Sequence, residues 1–301
     1  MRLYLPALAA ISLCATLSAA DLSVTPTKKP VTTSYTPSVK KSSAPGKLNI
    51  NYNIPLWTEG TVPGAKGDAP LDNPFLTVFE PPADKKNGTS VIVAPGGSNI
   101  MLMYGAEGMD IAEQYNQWGV TAFVLTYRMS PNYGQDARSA DGKRAVQVVR
   151  AHAAEMKLDP EKVGFIGFSA GGGLMRPFMA TAGPGDPTAS DPAARFSSKP
   201  NYLAFVYGAA GRTPQGENLK EYPPTFLVAS QADKAQSLPA AQFFIDLTKA
   251  GAVAEIHLYE QGHHGFGSGF GAPEFEDWMP RLEHFLKMTG FLPTTTIAEA
   301  K

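Results

Sequence analysis

A strand, a tight turn and the start of a helix follow one another without a gap near the middle of this chain. Residues 163–166 are an apolar run that predicts a buried strand, and residues 167–171 (Gly-Phe-Ser-Ala-Gly) predict a sharp turn. Such a turn strains the backbone at its apex and needs small neighbours, because the next helix begins at once. Ser169 stands at the apex, so we expect its hydroxyl to lie above the edge of a sheet as a nucleophile.

Apolar runs and amphipathic stretches alternate along most of the chain. An edge strand over residues 48–53 and an exposed strand over 75–80 come first. Such alternation predicts an α/β fold with a mostly parallel central sheet and helices on both faces. The 301 residues are enough for one domain of this class. The further predicted strands are 90–94, 120–127, 163–168, 202–207, 226–229 and 254–259, and the predicted helices are 105–118, 139–156, 239–250 and 274–289.

Residues 1–20 have the pattern of a secretory signal peptide. Arg2 precedes an apolar core over residues 5–17, and small residues at 18–20 form a cleavage site, so we expect the mature chain to begin near Asp21. The alternative is an uncleaved membrane anchor, although the apolar run is shorter than the roughly 20 residues that span a bilayer. Cys14 is the only cysteine and lies inside this segment. Export without disulfides predicts a secreted or periplasmic bacterial protein.

Three further segments follow the signal peptide. Residues 21–46 are rich in Ser, Thr, Pro and Lys, a composition that buries too little apolar surface to fold, and we expect a flexible linker or simply a disordered N-terminus. Residues 47–292 form the α/β domain, and residues 293–301 form a loose tail. The formal net charge of −1 argues against a nucleic-acid-binding protein, which would present a basic face.

Two polar residues occupy positions that suit partners of a nucleophilic serine. Asp233 ends the loop after the predicted strand 226–229, and His264 lies in the loop after the predicted strand 254–259. Parallel strands collect reactive groups at their carboxyl ends, so we expect these side chains to meet Ser169. His264 would then take the serine proton, and Asp233 would hold the other ring nitrogen.

The adjacent histidines His263 and His264 leave a choice of base. Gly265 and Phe266 follow His264 and allow an open loop to carry it to the site, which makes His263 a supporting or surface residue. The alternative for the pair is a metal site. The chain has no HExxH pattern and no second histidine at helical spacing, so we predict neither a metal nor a cofactor.

Acyl transfer also requires N–H donors for the oxyanion that develops during the reaction. We predict Gly97, in the glycine-rich stretch after strand 90–94, and Ala170, next to the nucleophile, as these donors. Glycine lets the backbone approach a ligand closely, so Gly96 and Ser98 are expected beside the substrate. An ordinary glycine-rich turn is the alternative interpretation of this stretch.

Four side chains are candidates for contact with the substrate. Met101 and Tyr104 follow the glycine-rich stretch, where they would line an acyl pocket. Tyr207 and Phe266 would present aromatic faces to a sugar ring. Packing in the core is the alternative for each of these residues.

These motifs together resemble one known group of proteins, and Ser, Asp and His occur in the chain order of that group. From about residue 54 to residue 291 the chain is similar to α/β-hydrolases of the carbohydrate-esterase-like group, which includes acetyl xylan esterases and feruloyl-esterase-like members. The motifs that carry the resemblance are Pro55-Leu56-Trp57, Ala94-Pro95-Gly96-Gly97, Thr126-Tyr127-Arg128, residues 167–172, residues 182–187, Pro224-Thr225-Phe226-Leu227 and residues 262–267.

The resemblance implies an α/β-hydrolase fold with Ser169, Asp233 and His264 as the catalytic triad and with Gly97 and Ala170 as oxyanion donors. The chain also departs from the group's pattern. Relatives often carry His-Gly-Gly-Gly or Pro-Gly-Gly-Gly where this chain has Pro-Gly-Gly-Ser over residues 95–98, and Lys234 directly follows the triad aspartate. Residues 208–224 are short where relatives often carry an insertion, which predicts a minimal cap.

We therefore predict a secreted serine carboxylesterase that hydrolyses acyl esters, above all acetyl esters, on a polysaccharide or oligosaccharide through an acyl-enzyme on Ser169. Its expected partners are small-molecule or polysaccharide esters, without nucleic acid or stable membrane insertion. Two alternatives stay open. One is a prolyl-oligopeptidase-like serine peptidase, although such proteins carry a large extra domain that is absent here. The other is a non-catalytic binding protein on the same scaffold, which the changed residues Ser98 and Lys234 allow.

Overall fold

A computed structural model describes residues 50–209, 217–269 and 272–294 of the chain. The predicted signal peptide (1–20), the predicted linker (21–46) and the predicted tail from residue 295 onward lie outside these residues. Within the described ranges, no helix has both the length and the apolar character that crossing a bilayer requires.

Eight strands form one sheet in the described part of the chain, in the spatial order β1-β2-β4-β3-β5-β6-β7-β8. Strand β2 pairs antiparallel with both β1 and β4, whereas all other neighbours are parallel. The mostly parallel sheet predicted from the sequence is confirmed. The strands are β1 (Ile50–Pro55), β2 (Phe75–Phe79), β3 (Ser90–Ala94), β4 (Thr121–Thr126), β5 (Val163–Phe168), β6 (Tyr202–Val206), β7 (Thr225–Ser230) and β8 (Ala254–Tyr259).

Helices cover both faces of this sheet. A π-helical turn (Gly105–Met109) leads directly into the first α-helix. Alternate residues of the inner strands point to opposite faces of the sheet. Because helices cover both faces, each inner strand is buried on both sides and its sequence is a continuous apolar run. The α-helices are α1 (Asp110–Gln117), α2 (Gln135–Ala151), α3 (Ala170–Gly173), α4 (Met175–Met179), α5 (Lys234–Ala250) and α6 (Trp278–Met288), and short 3-10 turns lie at Pro70–Asp72, Ala193–Arg195, Leu219–Glu221 and Pro273–Phe275.

The sheet separates two apolar clusters. On one face, Ile92 of β3 packs with side chains of α2 and α5, among them Val148 and Phe243. On the other face, Val93 of β3 packs with side chains of α1 and α6, among them Tyr115 and Trp278. These two layers hold the strands rigidly, and the loops at the strands' carboxyl ends are built on that support.

Two expectations about individual elements are wrong. The strand predicted at 75–80 was expected to be exposed, but β2 lies between β1 and β4 and four of its five residues are buried. The helix predicted to begin at Pro239 begins at Lys234, directly after Asp233, and contains the proline in its interior. Proline removes one helical hydrogen bond there, and the packing of Phe243 and Leu247 in the core outweighs that loss.

The turn after β5 leaves no space for a side chain at Gly171. A Cβ atom at this position would lie 2.0 Å from the carbonyl oxygen of Ala94 and 2.7 Å from that of Pro95. Helix α3 therefore packs directly against the end of β3.

Gly171→Ala is expected to lower the free energy of unfolding by about 1–3 kcal/mol or more, because backbone atoms must move to admit the methyl group. Urea unfolding measures this change. Gly173→Ala is the matched control, since a Cβ atom there meets nothing within 4 Å. Equal unfolding midpoints for the two variants would contradict the prediction.

Candidate active site

Ser169 lies in a strained turn between β5 and α3. Its backbone angles are φ 48° and ψ −115°, in a region that residues other than glycine rarely adopt. The Ser169 N–H donates to the carbonyl of Val206 at 3.0 Å, and the Ser169 carbonyl accepts from the N–H of Gly173 at 2.9 Å. These two bonds tie the turn to β6 and to α3, and the surrounding structure thereby maintains the strain.

Three side chains that are distant in sequence form one hydrogen-bonded line. The Ser169 Oγ lies 2.7 Å from Nε2 of His264, and Nδ1 of His264 lies 2.5 Å from Oδ2 of Asp233. Their loops follow β5, β7 and β8, which are parallel, so the three loops share one edge of the sheet. The arrangement has the geometry of a nucleophile, a base and a carboxylate that orients the base.

The carboxylate is anchored by its own helix. Asp233 directly precedes α5, and its carbonyl accepts the N–H groups of Gln236 and Ser237 at 3.0 and 2.8 Å. The neighbouring Lys234 is exposed to solvent. The Asp233 side chain is 11% exposed, whereas that of His264 is 43% exposed. The Asp233 end of this line is therefore shielded from solvent, whereas the His264 side chain is accessible to it.

The other histidine of the pair, His263, has different contacts. Nδ1 of His263 lies 2.7 Å from the backbone carbonyl oxygen of His264, and His263 is exposed. Only His264 of the pair contacts Ser169 and Asp233. Among the described residues there is no group of three or more His, Cys, Asp or Glu side chains arranged to hold a metal ion.

Residues 95–98, here called the glycine loop, lie beside the nucleophile. A Cβ atom at Gly96 would lie 2.8 Å from the Cβ atom of Ser169. The Gly96 carbonyl accepts the N–H of Met103 at 3.0 Å. A trans peptide points its N–H away from its carbonyl, so the N–H of Gly97 faces away from Met103. Over the described residues, neither this N–H nor that of Ala170 donates to a protein group.

Gly97 also requires the absence of a side chain. Its φ is 125°, and a Cβ atom there would lie 2.2 Å from the carbonyl oxygen of Met101. The prediction that Gly96 contacts substrate is corrected, because Gly96 is buried and its N–H is taken by Oε2 of Glu107 at 2.6 Å. Ser98 has φ 56° and is exposed, so it is accessible to solvent and to a substrate.

Sequence reasoning missed the buried carboxylate of Glu107, which is 4% exposed in the π-helical turn before α1. Its Oε1 accepts the Tyr207 hydroxyl at 2.8 Å, and the same hydroxyl oxygen accepts the N–H of Gly267 at 2.9 Å. A signal was present in the sequence. Glu107 precedes Ile111 by four residues, so it continues the apolar stripe of the helix with a carboxylate.

Two of the predicted substrate contacts are buried instead. Tyr207 is 1% exposed, with its ring centroid 4.9 Å from that of His264. Phe266 stacks on Phe275, with centroids 4.0 Å apart. Neither ring presents a free face to a sugar, which corrects the expectation. Their burial follows from the apolar cluster on the α1 and α6 face, which both residues join.

The other two predicted contacts lie near the glycine loop. Met101 is 54% exposed, and its neighbours Ile100 and Met103 are exposed as well. Tyr104 is half-buried and packs against the cluster beneath α1, and burial raises its pKa to about 12. Met101 therefore lies on an apolar rim beside Gly97, whereas Tyr104 contributes partly to the core.

Burial raises the pKa of the Glu107 carboxyl above its ordinary value of 4.5, and hydrogen bonds from Tyr207 and Gly96 partly oppose that shift. The folded chain then binds this proton more tightly than the unfolded chain. This proton therefore adds to the free energy of unfolding in full below the ordinary pKa, and its contribution is lost as pH rises through the raised pKa.

Glu107→Gln has no carboxyl to titrate, so we expect its free energy of unfolding to lack this fall with rising pH. Urea unfolding at a series of pH values measures the difference. The exposed Glu113→Gln is the control and keeps the parent slope, and an unchanged slope in Glu107→Gln would contradict the prediction.

Comparisons with known proteins find similarity to esterases. Residues 76–185 match the BD-FAE family model. An acetylxylan esterase of Xylanibacter ruminicola is 25% identical over 225 residues, which are 68% of this chain and 46% of that protein. The chain therefore spans less than half the length of this curated relative.

Solved structures share the fold over most of the chain. An acetyl ester-xyloside bifunctional hydrolase from Caldicellulosiruptor lactoaceticus superimposes with a TM-score of 0.73 at 26% identity, covering 82% of this chain and 99% of that one. A thermophilic esterase from Thermogutta terrifontis has a TM-score of 0.64 at 22% identity, covering 78% and 96%. The predicted resemblance to esterases and the predicted α/β-hydrolase fold are confirmed.

Proposed function

We propose that this chain is a serine carboxylesterase that removes acyl groups, in the first place acetyl, from esterified carbohydrate. The observation that carries the proposal is the line from Ser169 through His264 to Asp233, with separations of 2.7 and 2.5 Å. A serine hydroxyl is a poor nucleophile alone, and a base within hydrogen-bond distance activates it.

The first half of the proposed reaction forms an acyl-enzyme. The Ser169 Oγ attacks the ester carbonyl carbon while its proton passes to Nε2 of His264, and Asp233 stabilises the resulting imidazolium. The carbonyl oxygen becomes an oxyanion, which accepts hydrogen bonds from the N–H groups of Gly97 and Ala170. The C–O bond to the alcohol then breaks, and the alcohol leaves with the proton from His264.

The second half hydrolyses that intermediate. His264 takes a proton from water, and the hydroxide so formed attacks the acyl carbon of the ester on Ser169. The same two N–H groups stabilise the second oxyanion. The bond to the Ser169 Oγ breaks, the proton returns from His264 to the serine, and a carboxylic acid is released.

The carbohydrate part of the proposal is supported by two similar proteins, an acetylxylan esterase and an acetyl ester-xyloside hydrolase. The apolar rim of Ile100, Met101 and Met103 stands beside the glycine loop and suits a short acyl group. The buried rings of Tyr207 and Phe266 leave contacts with the sugar to exposed groups around His264.

Release of acetate from acetylated xylan tests the proposed substrate class. We expect turnover of that polymer and of p-nitrophenyl acetate, and none of proline-containing peptides. Cleavage of the peptides alone would favour a prolyl-oligopeptidase-like peptidase. A fluorophosphonate probe should label the parent protein and not Ser169→Ala. Absence of labelling together with absence of ester turnover would favour a non-catalytic binding protein.

The location proposed for this activity is the bacterial periplasm or exterior. It rests on the signal peptide expected over residues 1–20. Expression in a Gram-negative host, followed by N-terminal sequencing of the periplasmic fraction, should give a chain that begins near Asp21. Recovery of the full-length chain only from the membrane or the cytoplasm would contradict export with cleavage.

A further inference from the structure

We infer that Glu107 is a positioning residue that holds the glycine loop and the histidine loop (residues 260–267) in fixed relation to each other. The inference rests on the proposed function, because it assigns the oxyanion donor to one loop and the base to the other. Glu107 does not touch the reacting atoms. It acts through Gly96 on one side and through Tyr207 on the other.

The contacts form one continuous chain of hydrogen bonds. Oε2 of Glu107 accepts the Gly96 N–H at 2.6 Å, and Oε1 accepts the Tyr207 hydroxyl at 2.8 Å. The Tyr207 oxygen accepts the N–H of Gly267, three residues after His264, at 2.9 Å. Two loops that follow different strands are thus joined through a single buried carboxylate.

The glycine-loop side of this chain sets the direction of an oxyanion donor. The Gly96 N–H is fixed by Glu107, and the Gly96 carbonyl is fixed by the N–H of Met103 at 3.0 Å. With both groups of Gly96 held, the peptide plane that carries the Gly97 N–H has little freedom to rotate. Preorganised donors of this kind are the main source of oxyanion stabilisation.

The histidine-loop side sets the position of the base. The Tyr207 ring lies against the His264 ring, with centroids 4.9 Å apart, and against Phe266 with centroids 4.5 Å apart. The hydroxyl of the same residue holds the backbone at Gly267. Tyr207 therefore contacts the imidazole by its ring and the loop by its oxygen.

Packing alone does not explain a carboxylate at this position. Glu107 continues the apolar stripe of α1 and is buried, and a buried charge costs stability unless hydrogen bonds compensate it. An apolar residue of similar volume often serves folding equally well in such places. A carboxylate, unlike an apolar side chain such as leucine, supplies two hydrogen-bond acceptors, and here they face two different loops.

Kinetics of Glu107→Leu and Glu107→Gln test the assignment. We expect kcat on p-nitrophenyl acetate to fall about 10²-fold in Glu107→Leu, the range found when an oxyanion donor is lost. KM should change much less, because the donor acts in the transition state. Glu107→Gln should recover part of kcat, since its amide oxygen can still accept from one donor. The exposed Glu113→Gln, in the adjoining helix α1, should match the parent.

Amide hydrogen exchange tests the connection without any turnover. Glu107→Leu should speed exchange at both Gly96 and Gly267, whereas Tyr207→Phe should speed exchange at Gly267 alone, because it removes only the second half of the chain. These exchange rates can be measured even if the protein hydrolyses no ester. The proposed function is tested separately, by comparing ester hydrolysis in the parent protein and in Ser169→Ala.

Two results would overturn the inference. One is a Glu107→Leu protein that keeps kcat within about threefold of the parent, well short of a donor's contribution. The other is a Gly267 amide whose protection is the same in Glu107→Leu and in the parent. If Glu107→Leu does not fold, the comparison of Tyr207→Phe with Glu107→Gln decides. Unchanged exchange at Gly267 in Tyr207→Phe, or unchanged exchange at both Gly96 and Gly267 in Glu107→Gln, then refutes the connection. Faster exchange at Gly267 in Tyr207→Phe together with faster exchange at Gly96 or Gly267 in Glu107→Gln supports it.

Discussion

Ser169→Ala is expected to lower kcat/KM on p-nitrophenyl acetate about 10³-fold or more, because the three triad residues act as a unit. The hydroxyl oxygen of Ser169 lies 2.7 Å from Nε2 of His264. Residual turnover would come from the oxyanion donors and from substrate binding. Steady-state kinetics on the purified variant give the measurement.

A double variant sharpens this prediction. Ser169→Ala combined with His264→Ala should be hardly slower than Ser169→Ala alone, since removal of either residue disables the same step. The exposed Ser190→Ala serves as the matched serine control and should keep parent kinetics. Turnover of Ser169→Ala at the parent rate would refute an acyl-enzyme on this residue.

Asp233→Asn is expected to lower kcat by about 10⁴-fold while leaving the fold intact, the size of effect seen when a triad carboxylate becomes an amide. The asparagine amide would donate to Nδ1 of His264, where the carboxylate now accepts. The imidazole proton would then sit on Nε2, facing Ser169, and the ring could not take the serine proton. Kinetics and an unfolding curve, measured on the same sample, separate activity from stability.

Helix α5, which directly follows Asp233, offers a matched control for Asp233→Asn. Asp246 lies in α5, where it accepts the amide of Gln242 at 2.9 Å, and Asp246→Asn should leave turnover unaltered. A loss of less than about tenfold in Asp233→Asn would mean that the base is oriented without this carboxylate, far from the loss expected of a triad member.

The sequence was sufficient for those features that local patterns encode. Strands β3, β5 and β8 match their predicted bounds, because apolar runs bounded by turns are local signals. Ser169, Asp233 and His264 come together because each follows a parallel strand, a relation that holds whatever the loops contain. The order of the motifs along the chain therefore carried most of the information on the candidate site.

Features that depend on pairing across the fold were harder to predict. The burial of β2 follows from its place between β1 and β4, which the strand's own residues do not reveal. Tyr207 and Phe266 were expected to face a sugar, but an aromatic side chain after a strand fits a surface or a core equally well. Glu107 was missed because its two partners, Gly96 and Tyr207, lie on other loops.

The sheet order has a consequence for attaching this protein to a support. Residue 50 enters the sheet in β1, the outermost strand on one side, while His264 follows β8, the outermost strand on the other. Neighbouring strands lie about 4.8 Å apart, so four strand intervals put roughly 19 Å between β1 and the nucleophile strand β5. Immobilisation through a tag placed ahead of residue 50 should therefore leave the reactive edge facing solution, whereas a tether introduced beside β8 would crowd it.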